Sequence, residues 1–351
     1  MKNKTKNGLV SVIIPTYNSD KYLSDSIESA LAQTYPHVEI IVIDDGSTDN
    51  TKKVVEPYLG IITYLYKENA GPASARNLGI AKSHGEYIAF LDADDYWLPE
   101  KLKIQIDFFQ SNPQYGMIHA NNLILETERE PYPAFIGESP PTGWVFKNLF
   151  LSNHINNLTV ILKRECLDKV KGFDESKELI GIEDYELWLR ISLFYEIGFL
   201  DKIVAVYRVH CDNISKESKD IQSQFYLTNK FGLLIKAMNN DFSGLISEKR
   251  EILSYMRACN LLGNNKYETA KKDFMISTKR NYLRFHSALG ILSCLLRTNI
   301  LFKSRSSALK YKHYGYHLLS KGDEKTAKIY FRASIKYYPL QKLSFQVLLM
   351  R

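Results

Sequence analysis

The sequence predicts an α/β protein in which a mostly parallel sheet, flanked by helices, is followed by a smaller all-helical region. Three observations predict it. Over the first 95 residues short apolar runs alternate with amphipathic stretches, the signature of strand, helix, strand units. The apolar runs are rich in branched residues, as buried strands are. Polar clusters stand directly after several of the runs, where open parallel sheets bind their ligands.

Val10 to Ile14 reads as the first strand, closed by Pro15. Leu23, Ile27, Ala30 and Leu31 then recur at spacings of four, three and one, which puts them on one helical face that Ser19 or Asp20 can cap. Val38 to Ile43 is a second strand, Ile61 to Tyr66 a third, Ala73 to Ala81 a helix of small residues, and Tyr87 to Leu91 a fourth strand running into Asp92. Beyond it the pattern loosens. Pro99 to Phe109 reads as helix, Met117 to Leu125 as strand, and Pro131 to Pro141 as a proline-rich loop, either mobile or facing substrate. Glu183 to Tyr195 reads as helix and Ile203 to Val209 as the strand that closes a first domain, residues 1–215, before a linker near Ser215 to Asp220.

Residues 221–351 form a second, helical domain. Ala270, Phe274 and Ser277 recur 57 residues later as Ala327, Phe331 and Ser334, each set preceded by a glycine and polar turn. The spacing resembles tetratricopeptide-like helical hairpins, although the offset exceeds their usual period. Between the copies, Phe285 to Phe302 is an apolar stretch broken by His286, Arg297 and Asn299. It suits either a helix lying in a membrane interface or a buried helix of the second domain.

Composition narrows the function classes. The 351 residues are 45% hydrophobic and 24% charged, which supports a packed core and excludes collagenous or low-complexity chains. Cys166, Cys211, Cys259 and Cys294 are too widely spaced for a metal or redox motif, so a reducing, cytoplasmic setting is expected, and no signal peptide is visible. The net charge of +7 conceals an asymmetry: residues 1–218 carry 22 Lys and Arg against 31 Asp and Glu, whereas residues 219–351 carry 24 against 8. An acidic body excludes nucleic acid as its substrate, and a basic tail predicts an anionic partner such as the inner face of the cell membrane.

The chemistry is expected after the strands. Strand one adds Pro15, Thr16, Tyr17 and Asn18. Strand two ends in Asp44-Asp45-Gly46-Ser47-Thr48-Asp49 and strand four in Asp92-Ala93-Asp94-Asp95. Asp-Gly-Ser is ordinary turn chemistry, but two successive carboxylates exceed that need. One of Asp44 and Asp45, with Asp45 preferred, is expected to accept a hydrogen bond from a nucleobase while Tyr17 packs on the ring. Carboxylates two apart offer hard oxygen ligands to Mg²⁺ or Mn²⁺; Asp94 is the first candidate ligand, with Asp92 and His210 beside it. Asn69 and Arg76 open the small-residue helix, and Arg76 is placed to pair with an aspartate of a nucleotide pocket. Glu183 and Asp184 begin a helix, where the helix dipole alone would welcome acids. Asp184 is nevertheless the candidate general base and Glu183 its companion. Arg208 and His210, at the end of the last strand, could reach a diphosphate or the metal.

Taken in order, Val10-Ser11-Val12-Ile13-Ile14-Pro15-Thr16-Tyr17-Asn18, the DDGSTD segment, Ala75-Arg76-Asn77, the DAD triplet and Glu183-Asp184 resemble family 2 glycosyltransferases over about the first 215 residues. The resemblance implies a GT-A fold and transfer of a sugar from a nucleotide diphosphate sugar, with inversion and with Mg²⁺ or Mn²⁺. It also implies a glycan or lipid-linked acceptor. Processive synthases of that family carry several spanning helices and a QxxRW-type motif; neither is visible, so single-sugar addition is expected. Two rivals stay open: a nucleotidyltransferase making sugar nucleotides, which would want a glycine-rich basic loop where this chain has Pro15-Thr16-Tyr17-Asn18, and an inactive nucleotide-sugar-binding scaffold.

Overall fold

The computed structural model describes residues 5–126, 130–135, 137, 139–210, 217–237 and 243–277, with 287, 291 and 294. The chain divides into two compact units, Met1–Phe135 with Ser139–Lys216, and Ile136–Glu138 with Glu217–Arg351.

The first unit opens with β1 (Lys6–Thr16), α1 (Leu23–Leu31), β2 (Val38–Asp44), α2 (Thr51–Val55), β3 (Thr63–Tyr66), α3 (Pro72–Lys82) and β4 (Gly85–Phe90). It continues with β5 (Tyr96–Trp97), α4 (Lys101–Ser111), β6 (Tyr115–Glu126), β7 (Tyr132–Pro133), α5 (Phe146–Leu151), β8 (Ile161–Lys163), α6 (Arg164–Val170), α7 (Glu183–Ser192) and β9 (Glu196–Val209). One sheet runs in the order β3-β2-β1-β4-β8-β6-β9-β5, with β7 paired to β6. Its first four strands are mutually parallel, as is the β6–β9 pair. Strands β8, β5 and β7 pair antiparallel to their neighbours. The parallel character expected of the sheet is therefore concentrated in the first 90 residues, and the second half is mixed.

Pro15 does not close β1. The strand pairs with β2 as far as Thr16 opposite Asp44, but with β4 only as far as Ile13 opposite Phe90. The Ile13 carbonyl accepts from Leu91 on the β4 side and the Thr16 carbonyl from Asp45 on the β2 side. By the alternation of a strand, the Pro15 nitrogen faces the β4 side just past the last pair, where no donor is needed. The sheet splits there, and the crevice begins.

The α1 face holds for Leu23, Ile27 and Ala30, all buried, whereas Leu31 is 39% exposed. Neither Ser19 nor Asp20 caps this helix with its side chain; the Ser19 carbonyl instead accepts from the Tyr22 and Leu23 amides. Gly46 is conformationally required. Its φ is +85°, and a Cβ there would lie 2.8 Å from the Asn69 amide nitrogen. Gly46→Ala is expected to cost at least about 1 kcal/mol, read as a lower urea midpoint, because both the backbone sign and the close approach are violated.

The second unit contains α8 (Glu217–Ala237), α9 (Ser243–Gly263) and α10 (Tyr267–Ser277). Asn265, at φ +59°, turns α9 into α10, and Ala270 and Phe274 pack with Tyr255, Ala258, Leu262 and Cys294. Arg257 and Asp273 tie the two helices with two 2.7 Å hydrogen bonds. Ala270, Phe274 and Ser277 of the first repeat-like set are fully buried. The second set, Ala327, Phe331 and Ser334, lies outside the described residues, as do the linker residues 215–216 and most of 285–302. Among the described residues no helix is long and apolar enough to cross a membrane.

Candidate active site

The crevice is assembled from the carboxyl ends of β1, β2 and β4, the start of α3 and the start of α7. Arg76 joins them. Carried in α3, it is 6% exposed and donates to Asp92 Oδ1 from Nη2 and to Glu183 Oε1 from Nη1, each at 2.7 Å. Burial opposes the charged guanidinium, but Asp92 and Glu183 outweigh it and raise its pKa further. Residues 76, 92 and 183 thus form one ionic bridge, buried at Glu183 and part-buried at Asp92, between segments far apart in the chain.

The helix beneath Arg76 is fastened to the approach to α7. Asn77 donates from Nδ2 to the Phe173 carbonyl at 3.0 Å and to Glu175 Oε1 at 2.7 Å, and its Oδ1 accepts from the Phe173 amide at 2.9 Å. The preceding Gly172 has φ +74°, and a Cβ there would come within 2.7 Å of Asn77 Oδ1.

Asp184 stands beside Glu183. Burial, then the charge of Glu183, push its carboxyl up to about 7, against the pull of Arg76. Glu183 spends its second oxygen on the Gly181 amide at 2.7 Å. The acid poised near neutrality is therefore Asp184, and its neighbour is consumed in holding the bridge.

The acids after β4 have separate tasks. Asp92 is engaged by Arg76 and by Asn157, whose Nδ2 lies 3.2 Å from both carboxylate oxygens. Asp94 Oδ2 meets His210 Nε2 at 2.9 Å. Burial and the charge of Asp92 raise the Asp94 carboxyl above its ordinary range, while His210 pulls it down. Asp95 is buried, accepts the Arg208 amide on Oδ1 at 2.8 Å, and is raised well above its ordinary value by burial and by Asp94. The Arg208 guanidinium lies over the Tyr22 and Tyr96 rings, 5.0 and 4.7 Å from their centroids, and pairs with Asp25.

At the nucleotide end, Asp44 accepts the Ser47 amide at 2.8 Å and the Tyr64 hydroxyl at 2.6 Å, so it serves the turn after β2. Asp45 is 3% exposed and faces the loop before α3. Tyr17 is half exposed and Asn69 is exposed at the rim. Asn18, at φ +49°, accepts the Thr48 amide on Oδ1 and donates its own amide to Ser47 Oγ, closing β1 onto the β2 turn. Thr16 Oγ1, Arg76 Nε, Asp95 Oδ2 and Asn157 Oδ1 are buried polar atoms with no hydrogen-bond partner. Comparable atoms occur at His119, His154 and Trp188, and the four named here are ones that water or a polar ligand would satisfy.

The family described as "Glycosyl transferase family 2" matches residues 11–149. The putative teichuronic acid biosynthesis glycosyltransferase TuaG of Bacillus subtilis is 32% identical over 214 residues, 59% of this chain and 81% of that protein. The chain belongs to glycosyltransferase family 2. Two solved structures share the fold. S. aureus TarS in complex with UDP superposes with a TM-score of 0.53 at 21% identity, covering 82% of this chain and 88% of that one. The mannosyltransferase PcManGT from Pyrobaculum calidifontis, in complex with GDP-Man and Mn²⁺, superposes with a TM-score of 0.54 at 17% identity, covering 98% and 89%. The mixed sheet with its flanking helices is the GT-A fold.

In this glycosyltransferase the sequence-derived residues fall into three groups. Asp92, Arg76, Glu183 and Asp184 meet at one place, and Asp94 meets His210. Pro15, Thr16, Tyr17, Asp44, Asp45 and Asn69 line the β1–β2 end. Arg208 engages the crevice through its amide, while its side chain is held by Asp25 and two tyrosines. Asn157 and Lys67 were missed by sequence reasoning. Asn157 precedes a three-residue strand that periodicity cannot reveal, and Lys67, at the end of the third strand, gave only the signal of a cation after an apolar run.

The donor set suits a divalent cation. Asp94 and His210 offer one carboxylate and one imidazole within 2.9 Å, and among the described residues no group of three or more such side chains could hold an ion alone. Two protein ligands leave positions for water and substrate phosphates, the usual way in which Mg²⁺ or Mn²⁺ is held in nucleotide sites.

Proposed function

We propose that the chain moves a sugar from a nucleoside diphosphate sugar to a hydroxyl of a glycan or lipid-linked acceptor, inverting the anomeric carbon, in the synthesis of a surface polysaccharide. The observation that supports this reading is the Asp92–Arg76–Glu183 bridge, which ties the residues after β4 to the start of α7, where Asp184 stands. Asp184 takes the proton from the acceptor hydroxyl as that oxygen forms its bond to the anomeric carbon. The bond to the diphosphate breaks on the opposite face, and the protein carries no covalent intermediate. Asp94 and His210 would hold Mg²⁺ or Mn²⁺, which when bound would supply positive charge to neutralise the diphosphate leaving group. Asp45 and Tyr17 hold the base, Thr16, Pro15 and Asn69 border it, and Asp92 faces the ribose. The names of TuaG and of the ligands in TarS and PcManGT support the polysaccharide and nucleotide-sugar parts of this reading.

A thermal-shift panel of UDP- and GDP-sugars with and without Mn²⁺ tests it, because a bound donor raises apparent stability by mass action. Asp94→Ala is expected to lose the metal-dependent part of the shift and keep the rest. If no nucleotide sugar moves the transition, the reading fails.

The basic region 219–351 supports attachment to the anionic inner face of the cell membrane, with the catalytic unit on the cytoplasmic side. The full-length protein is expected to cosediment with anionic liposomes at low salt and to release as salt screens the charges. Absence of cosedimentation at low salt removes this part of the proposal.

A further inference from the structure

Lys101, in the first turn of α4, is fully buried, and among the described residues no carboxylate pairs with it. Its Nζ donates to Gln105 Oε1 at 2.6 Å and stands 4.2 Å from the centre of the Trp97 ring. Burial lowers its pKa well below the usual lysine range. An apolar side chain of similar length would fill the same space without that desolvation cost, so what the amine adds is a donor in a fixed place. Both residues that it touches hold one short turn, Asn157–Thr159. Gln105 Nε2 donates to the Thr159 carbonyl at 2.8 Å, and Trp97 Nε1 donates to the Leu158 carbonyl at 2.9 Å. The two ends of a side-chain amide are alike in shape, and only one orientation aims its NH₂ at a carbonyl. The amine at one end and the Thr159 carbonyl at the other fix that orientation. The turn begins with Asn157, whose Nδ2 spans both oxygens of Asp92 at 3.2 Å. Arg76 donates to Oδ1 alone, so the contact from Asn157 to both oxygens adds resistance to rotation of the carboxylate.

We propose that Lys101 and Gln105 are positioning residues of the donor site, setting the orientation of the Asp92 carboxylate through Asn157. The proposal rests on the reading of Asp92 as a residue that faces the nucleotide. The path runs from Lys101 Nζ through the Gln105 amide to the Thr159 carbonyl, then from the turn through the Asn157 amide to Asp92. Methionine at position 101 fills the space but leaves Gln105 Oε1 without its donor, and the amide is then free to turn over. The turn keeps its anchor at Trp97 and loses the one at Gln105, and Asn157 loses its fixed seat against Asp92. A buried polar network of this kind is kept for the geometry it specifies, because apolar residues of similar volume are often as stable.

Calorimetric titration of the full-length protein with UDP and with GDP, each with Mn²⁺, tests this on whichever nucleotide the wild type binds. Lys101→Met is expected to weaken that nucleotide about fivefold or more, while its thermal unfolding stays close to that of the wild type. Asn157→Ala is expected to weaken it at least as much. The double variant is expected to bind within about twofold of Asn157→Ala alone, because the lysine acts through the asparagine. Gln105→Met cuts the same path one link nearer to the turn and is expected to behave as Lys101→Met does, so it decides if that variant does not fold. Undiminished binding in the folded variants, or losses that multiply in the double variant, overturns the proposal while the nucleotide-sugar reading stands. Failure of both Lys101→Met and Gln105→Met to fold assigns the pair to the core and overturns it too. Failure of both nucleotides to bind the wild type overturns that reading and the proposal with it.

Discussion

Asp184→Asn is expected to lower kcat by about 10²–10⁴-fold, the usual worth of a positioned general base, while donor affinity stays within about twofold. The pH dependence separates this from a folding defect. With a carboxyl pushed up to about 7, the wild type is expected to lose kcat/KM about tenfold per pH unit below that value and to level off above it. The stability of the fold runs the other way. A carboxyl raised above its unfolded value binds its proton more tightly in the native state, so its contribution is fully present below the unfolded pKa and is lost as pH rises through about 7. The asparagine variant, which cannot ionise there, is expected to fall less in melting temperature between acid and neutral pH than the wild type. Normal turnover in Asp184→Asn would remove the base assignment.

Arg76→Met is expected to damage both stability and binding. Removing one member of a buried ionic network and leaving its partners uncompensated costs about 3–5 kcal/mol, and here Glu183 at 8% side-chain exposure and Asp92 at 31% would both lose their cation. Urea unfolding reads the stability loss, and titration with a nucleotide sugar reads the binding. Arg76→Lys is the sharper probe. A compact ammonium lacks the two-pronged geometry with which the guanidinium reaches both carboxylates at once. It is expected to recover part of the stability and little of the donor affinity. Binding equal to wild type in the lysine variant would mean that the bridge holds the fold and does not shape the crevice.

Strands β1, β2 and β4 were legible because each is a run of mostly buried apolar residues followed by a polar turn, and the acids to watch stood directly after β2 and β4. The later strands were not. β9 starts seven residues earlier than its apolar run suggests, because Asp201 and Lys202 interrupt the run near where its pairing with β6 shifts register. β8 has three residues and is a strand only because β4 and β6 stand on either side of it. Asn157 follows the same logic, since its importance comes from reaching Asp92, 65 positions away, and no spacing rule reports such a contact. Arg76 was legible as a cation at a helix start near a nucleotide pocket. That it would also clasp Glu183 depends on a fastening between α3 and the Phe173 segment that leaves no periodic trace.

That fastening has a consequence for the kind of molecule the enzyme can serve. Because Asn77 grips Phe173 through both amide atoms, one position along the helix from Arg76, this wall cannot swing outward without carrying α3 with it. On the proposed reading, the acceptor and leaving-group oxygens meet beside a wall that moves only with α3. On the same reading, such a wall suits an acceptor of which only the tip enters and the remainder trails away in solvent.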